Sequence, residues 1–150
     1  MWEQALGFGV EIPFVTHLGF ALTAFADGRS EIVYTPKAEH LNSFNVTHGG
    51  ALMTLLDVSM ATAARSVAPE MGAVTIEMKT SFMQPAVGTL TARGELMHRS
   101  ATMAFTQATV FDGEGKPCAH ATGTFKYLKR LATGSRSVNP LNPSGTVSTD

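Results

Sequence analysis

One carboxylate, Asp57, stands in the middle of a run that is otherwise almost wholly apolar, Ala51-Leu-Met-Thr-Leu-Leu-Asp57-Val-Ser-Met-Ala-Thr-Ala-Ala-Arg65. His48-Gly49-Gly50 leads directly into that run, and Asn42 lies a short way upstream. A carboxylate held ionised in a partly dry site can attack a carbonyl carbon or draw a proton from water. A helix beginning at the glycine pair supplies the complementary group. Its first backbone N–H groups have no intrahelical acceptor, and its macrodipole favours negative charge at that end. Neither Gly49 nor Gly50 has a side chain to hold a substrate away. An acid–base or nucleophilic group and an oxyanion donor are together what acyl hydrolysis needs.

The spacing makes a geometric demand. Gly49 and Asp57 are eight residues apart, or about 12 Å along one helix at a rise of about 1.5 Å per residue. One reacting carbon cannot lie within roughly 3 Å of both. The carboxylate must therefore meet the helix start of a second copy, across a two-fold axis that lays two helices side by side.

The elements that position these groups follow from hydrophobic period and punctuation. Leu52, Met53, Leu55, Leu56, Val58 and Met60 do not share one stripe, so the helix over 50–67 is predicted to be surrounded by protein. Before it, 10–14 reads as a lead-in helix or turn and 16–26 as a strand covered on both sides. Asp27-Gly28 is a two-residue hairpin signal, 30–35 returns as a second strand, and 37–47 is loop. After the helix, 74–82, 89–98, 102–111 and 117–128 alternate as strands, with a hairpin turn at Asp112-Gly113-Glu114-Gly115. The expectation is an α+β domain over 1–130: about six antiparallel strands in a curved sheet, the last three a meander, wrapped around one long helix. One sheet covers one side of that helix, and a second copy can cover the rest. Residues 131–150, dominated by Ser, Thr, Gly, Asn and Pro, are predicted to be a mobile tail.

Composition narrows the classes. At 150 residues the chain is one domain's worth. Charged residues make up 15%, below the usual quarter, which fits burial of surface between subunits. A net charge of −1 with no basic run provides no footprint for nucleic acid. The single cysteine, Cys118, excludes an internal disulfide, and no basic n-region precedes an apolar run at the N-terminus. Asp57 and Arg65 make the central run expensive as a membrane span. A soluble cytoplasmic protein is expected.

The motif Asn42-x5-His48-Gly49-Gly50-x6-Asp57, at a junction of loop and helix, resembles the hotdog-fold acyl-CoA thioesterases, specifically the phenylacetate-degradation (PaaI-like) family. Ala73-Val-Thr-Ile-Glu-Met-Lys-Thr-Ser-Phe-Met-Gln-Pro85 is similar to that family's strand after the helix, and Ala121-Thr-Gly-Thr-Phe-Lys-Tyr127 to its final strand. The resemblance covers roughly residues 15–130. It implies a hotdog-fold homo-oligomer, a dimer or a tetramer of paired dimers, hydrolysing an aryl- or short- to medium-chain acyl-CoA without metal or cofactor. It assigns the Gly49 N–H to the thioester carbonyl and the partner's Asp57 to nucleophile or general base. Asn42 and His48 then position water and substrate, with Thr75 in an auxiliary place near the carboxylate. Gly50, Arg99 and Ser100 are candidates for contacts to substrate or CoA, as are the cations of 126–130.

Plainer readings compete at each position. Asp57 could be a structural carboxylate bonded to Thr54 or a nearby loop, His48 a simple helix cap, and Gly49-Gly50 only a tight helix entry. Asn45 competes with Asn42 for its role. His17, His40, His98 and His120 lack metal-ligand spacing, and Cys118 reads as a strand residue. The methionines read mostly as core. Two other functions share the fold class: a non-catalytic acyl-CoA binding or sensor module, and a hydratase or dehydratase.

Overall fold

The computed structural model describes residues 6–129, so the expected tail at 131–150 lies outside the described residues. A short helix α1 (Pro13–Leu18) precedes the hairpin β1 (Ala21–Ala26) and β2 (Arg29–Tyr34). A 3-10 turn (Ala38–His40) leads to the central helix α2 (Gly49–Arg65), followed by β3 (Met71–Phe82), β4 (Leu90–Arg99), β5 (Met103–Phe111) and β6 (Pro117–Lys129). The strands form one antiparallel sheet in the order β1-β2-β4-β5-β6-β3, with β4 to β6 as the expected meander. This is the six-stranded α+β arrangement the sequence predicts.

One boundary is corrected. The stretch 16–26 is not a single strand: Thr16, His17 and Leu18 close α1, which begins on Pro13 and ends at Gly19 with φ +81°. Proline in the first turn and a left-handed glycine just past the end are the standard helix punctuation, and here they outweigh the alternation. The Asp27-Gly28 hairpin forms as predicted, with both residues at positive φ (53° and 83°).

As expected of one curved sheet, the sheet covers one side of the helix. Of its buried residues, Leu52, Leu55, Leu56, Ser59, Met60, Ala63 and Ala64 lie at i, i+3, i+4 and i+7 spacing and share one stripe against the sheet, while Thr62 and Arg65 are buried off that stripe. Met53, Thr54, Asp57, Val58 and Ala61 lie off that stripe, with Met53 exposed and the others half-buried. Within one protomer the sheet covers one side only. The methionines follow suit, since Met60 is buried while Met53, Met83 and Met97 are exposed.

Close approach of helix and sheet depends on particular residues. A Cβ on Gly94 would collide with the Ser59 carbonyl, which also accepts a hydrogen bond from Ser30 Oγ at 2.7 Å. Tyr127 donates its hydroxyl to the Ala64 carbonyl at 2.7 Å. At the far end, Ser66 Oγ accepts the Gly28 N–H at 2.8 Å. These contacts fix α2 in rotation and height, and so fix where Gly49 and Asp57 emerge.

Candidate active site

His48 has extended backbone (φ −61°, ψ 139°) and is the N-cap of α2. Its Nδ1 accepts the Gly50 N–H at 2.8 Å, so the ring proton of the neutral imidazole sits on Nε2. The capping reading of His48 therefore holds, and it changes the donor inventory: the Gly50 N–H is spent on the cap. Ala51 and Leu52 donate to the His48 carbonyl. The Gly49 N–H has no acceptor among the described residues. Of the two glycines, Gly49 alone keeps a donor free for a ligand.

The loop ahead of the helix is held from several sides. The His40 carbonyl accepts the His48 N–H at 2.9 Å, and Thr47 donates its N–H and Oγ1 to the Ala86 carbonyl at 3.0 and 2.8 Å. His40 is itself buried. Its Nδ1 accepts the Lys37 N–H, so the Tyr34 hydroxyl, 2.7 Å away, donates to the same nitrogen. Asn42 Oδ1 accepts the N–H groups of Phe44 (2.8 Å) and Val46 (3.3 Å), which closes the tight loop that puts Asn45 at φ +61°. This ties up the carbonyl end of Asn42, which lines a cavity of about 360 Å³ together with Gly49, Leu52, Phe82 and Gln84. Asn45 does not line that cavity.

Asp57 lies in a different cavity, of about 340 Å³, with Val58, Ala61 and the segment before α1. Thr75 Oγ1 donates to Asp57 Oδ1 at 2.6 Å, the short contact expected of a charge-assisted bond. The second carboxylate oxygen has no hydrogen-bond partner among the described residues. The structural alternative through Thr54 fails, because Thr54 Oγ1 donates to the Gly50 carbonyl instead. Burial raises the Asp57 pKa above the ordinary carboxylate range, and the Thr75 hydroxyl partly opposes that shift by stabilising the charged form. A desolvated carboxylate with one oxygen steadied and the other open is arranged to act as a base or nucleophile.

Arg99 and Ser100 are placed elsewhere, at the β4–β5 turn beyond the C-terminal end of α2. Arg99 lies 4.6 Å over the Tyr127 ring, while Ser100 Oγ accepts the N–H groups of Thr102 and Met103. Nothing in one protomer brings them to Gly49 or Asp57. Cys118 is a buried strand residue, and its thiol is pushed up by burial. Among the described residues no His, Cys, Asp and Glu cluster could hold a metal ion, and no helix is long and apolar enough to cross a membrane.

Two contributors carried no sequence signal that motif reading could use. Phe8, Val10 and Ile12 wall the Asp57 cavity from a segment without period. Phe82 sits 3.4 Å from where a Gly49 Cβ would lie. Its position at the end of an alternating strand disguised it as an ordinary sheet residue.

The family and the fold have counterparts among known proteins. Residues 44–119 match the family model of the thioesterase superfamily. A protein of Saccharolobus solfataricus, provisionally named an esterase, is 30% identical over 68% of this chain and 74% of its own length. A conserved protein of Pseudomonas aeruginosa superposes with a TM-score of 0.76 at 28% identity, covering 80% of this chain and 97% of that one. The Escherichia coli PaaI protein, from the phenylacetic acid degradation operon, has the same fold at 22% identity (TM-score 0.73, 88% and 89% covered). The glycine-started helix inside a six-stranded sheet thus has a known lineage, and the chain belongs to the thioesterase superfamily as a hotdog-fold thioester hydrolase.

Proposed function

We propose that the chain hydrolyses an acyl-CoA, either aryl-acyl or short- to medium-chain, to the free acid and CoA in the cytoplasm. In this reading the active site is shared between two protomers. The observation that carries it is the separation of the two reactive groups: the free Gly49 N–H and the desolvated Asp57 open into different cavities of one protomer, on a helix whose outer side the sheet leaves uncovered. Two copies related by a two-fold axis complete each half-site. Asp57 of one protomer then faces the Gly49 N–H of the other.

The free edge of the sheet supports the same pairing. β3 ends the strand order, runs for twelve residues and carries exposed Val74 and Ile76. A long apolar edge of this kind is a template for another strand. Pairing it with its own copy brings the uncovered helix faces together, burying Met53 and Val58. A tetramer formed from two such dimers is the expected full assembly.

The chemistry follows from the groups. The thioester carbonyl oxygen accepts the Gly49 N–H, and the helix dipole adds to the field. The free Asp57 oxygen attacks the carbonyl carbon or takes the proton of a water that does. Both routes form a tetrahedral oxyanion held by the Gly49 N–H and break the C–S bond; the general-base route releases the acid directly, and the direct attack leaves a mixed anhydride on Asp57 that one water then hydrolyses to the acid and the free carboxylate. The CoA thiolate leaves and is protonated. Thr75 holds the carboxylate in orientation, His48 Nε2–H and the Asn42 amide are donors for substrate or water, and Gly50 keeps the entry open. Arg99 and Ser100, beyond the far end of the helix, are assigned to the nucleotide end of CoA bound across the dimer. The aryl class draws support from the operon context of the E. coli relative.

Thiol release from a panel of acyl-CoAs tests the proposal. The wild type releases CoA from at least one member. Asp57→Ala loses about 10²- to 10⁴-fold of that rate, the contribution typical of a positioned acid–base group, while still assembling. A binding module would bind the panel and release no thiol, and a hydratase would add water to an enoyl chain with the thioester intact. Undiminished hydrolysis by Asp57→Ala would overturn the assignment.

A further inference from the structure

We propose that the segment running from Leu6 to Ile12 roofs the acyl compartment of the site, so that residues upstream of the matched family region set substrate selectivity. This rests on the hydrolase reading above and names where its acyl group goes. The cavity next to Asp57, about 340 Å³, is walled by Phe8, Val10 and Ile12 on one side and by Val58, Ala61 and Ala73 on the other. These side chains are apolar or small, Thr62, Arg65 and Gly72 complete the lining, and Asp57 is itself a lining residue. A group bonded to the carbon that Asp57 attacks enters this space directly.

The roof is fastened in place. Leu6 donates its N–H to the Leu22 carbonyl of β1 at 2.6 Å. Arg65, at the last turn of α2, donates Nη1 to the Phe8 carbonyl at 3.1 Å and Nε to the Met71 carbonyl at 3.2 Å. One buried guanidinium thus ties the pre-helix segment, the central helix and the start of β3 together. With its donors spent on backbone carbonyls, Arg65 is not offered as a counter-ion to a charged acyl group. Leu6, Phe8 and Ile12 also pack against the main core, so the roof is part of the folded body.

Size and polarity select the class. A volume of 340 Å³ is near the lower end of the roughly 300–1,000 Å³ found for small-molecule sites. An ionised acyl group would add a second negative charge beside Asp57, and Arg65, the cation in the lining, is held against the Phe8 and Met71 carbonyls. The occupant is a compact, uncharged, apolar acyl group, aryl-acetyl before long aliphatic. The other cavity, lined by Asn42, Thr47 and Gln84, has the polar groups that suit the amide-bearing arm of CoA.

Two variants test this by moving selectivity in opposite directions, read as ratios of kcat/KM for acetyl-, phenylacetyl- and decanoyl-CoA. Ala61→Leu fills the compartment from the helix side, and the phenylacetyl-to-acetyl ratio falls by about tenfold or more, the worth of one or two misplaced methylenes. Phe8→Ala opens the roof, and the decanoyl-to-phenylacetyl ratio rises by about fivefold or more on the same scale. The Phe8→Ala shift supports the roof, and an Ala61→Leu shift without it supports the compartment but overturns the roof. If Ala61→Leu fails to fold, Phe8→Ala decides alone. Ratios that stay within about twofold of wild type in every folded variant overturn this inference and leave hydrolysis standing. A wild type that releases no thiol from any of the three overturns the hydrolase reading, and this one with it.

Discussion

A complementation experiment separates a shared site from one contained in a single chain, and the structure supplies a well-matched pair of variants. The first is Asp57→Ala, which removes the carboxylate. The second is Gly49→Pro. Gly49 is the first residue of α2, the position where proline is best tolerated because the lost N–H has no intrahelical acceptor. His48, at φ −61° and ψ 139°, already has the extended backbone that a following proline requires. A new Cβ there meets the Phe82 ring at 3.4 Å, an ordinary contact. Gly49→Pro therefore folds and deletes the one free donor. Loss of one oxyanion donor lowers kcat by about 10²- to 10³-fold, or roughly 3–4 kcal/mol of transition-state stabilisation. Gly49→Ala is the control that keeps the N–H. Each inactive variant is purified alone, then the two are mixed in equal amounts under mild denaturant, returned to buffer and assayed for thiol release. In a mixed dimer, one site joins the intact Gly49 of the first chain to the intact Asp57 of the second, and the other site lacks both groups. Random reassortment makes about half the dimers mixed, each with one of two sites working, so recovery is about a quarter of wild-type activity per chain. Two groups acting within one protomer would leave no complete site in any dimer. Activity that stays at the level of the separate variants, with subunit exchange verified by mass-tagged chains, refutes the shared site.

Two further outcomes follow from the same geometry. Thr75→Val removes the 2.6 Å bond that holds the Asp57 pKa down against burial, so that pKa rises further. Since the reactive form is the carboxylate, activity falls as pH drops through this value. The acid limb of the kcat/KM profile therefore moves to higher pH, and an unmoved limb would show that Thr75 does not act on the reactive carboxylate. Gly94→Ala would drive a methyl into the Ser59 carbonyl and the Ser30 hydroxyl; with backbone as the obstacle it is expected to destabilise the fold by about 3 kcal/mol or more, at or beyond the upper end of ordinary overpacking, as measured by urea denaturation.

Much of this arrangement was legible in the residues because it rests on local rules. Asp-Gly with both residues at positive φ made the first hairpin, alternation gave the four strands after α2, and a carboxylate among Leu and Met marked the site. What was not legible depended on long-range contacts. The division of labour between Gly49 and Gly50 could not be read from their identity. It depends on the His48 ring turning back to accept one N–H, and so on the loop that His40 and Thr47 hold. The roof over Asp57 was invisible for a similar reason: Phe8 is placed by Arg65, 57 positions away in the chain.

The distance between Gly49 and Asp57 links these levels. Had the carboxylate stood one turn from the glycine, a single helix could have served one carbonyl, and the open face of α2 would need no catalytic explanation. Two turns and more put the groups in separate cavities, each with half the required chemistry. The face between them carries Met53, Val58 and Ala61, surface that gains by burial, and the adjacent β3 edge has unpaired backbone to offer. In the proposed dimer, association and catalysis are one event: the contact that buries the helix face also brings Asp57 to the Gly49 amide. A protomer kept apart by a charge on that edge, such as Ile76→Lys, should keep its fold and lose its hydrolysis in proportion to the dimer it fails to form.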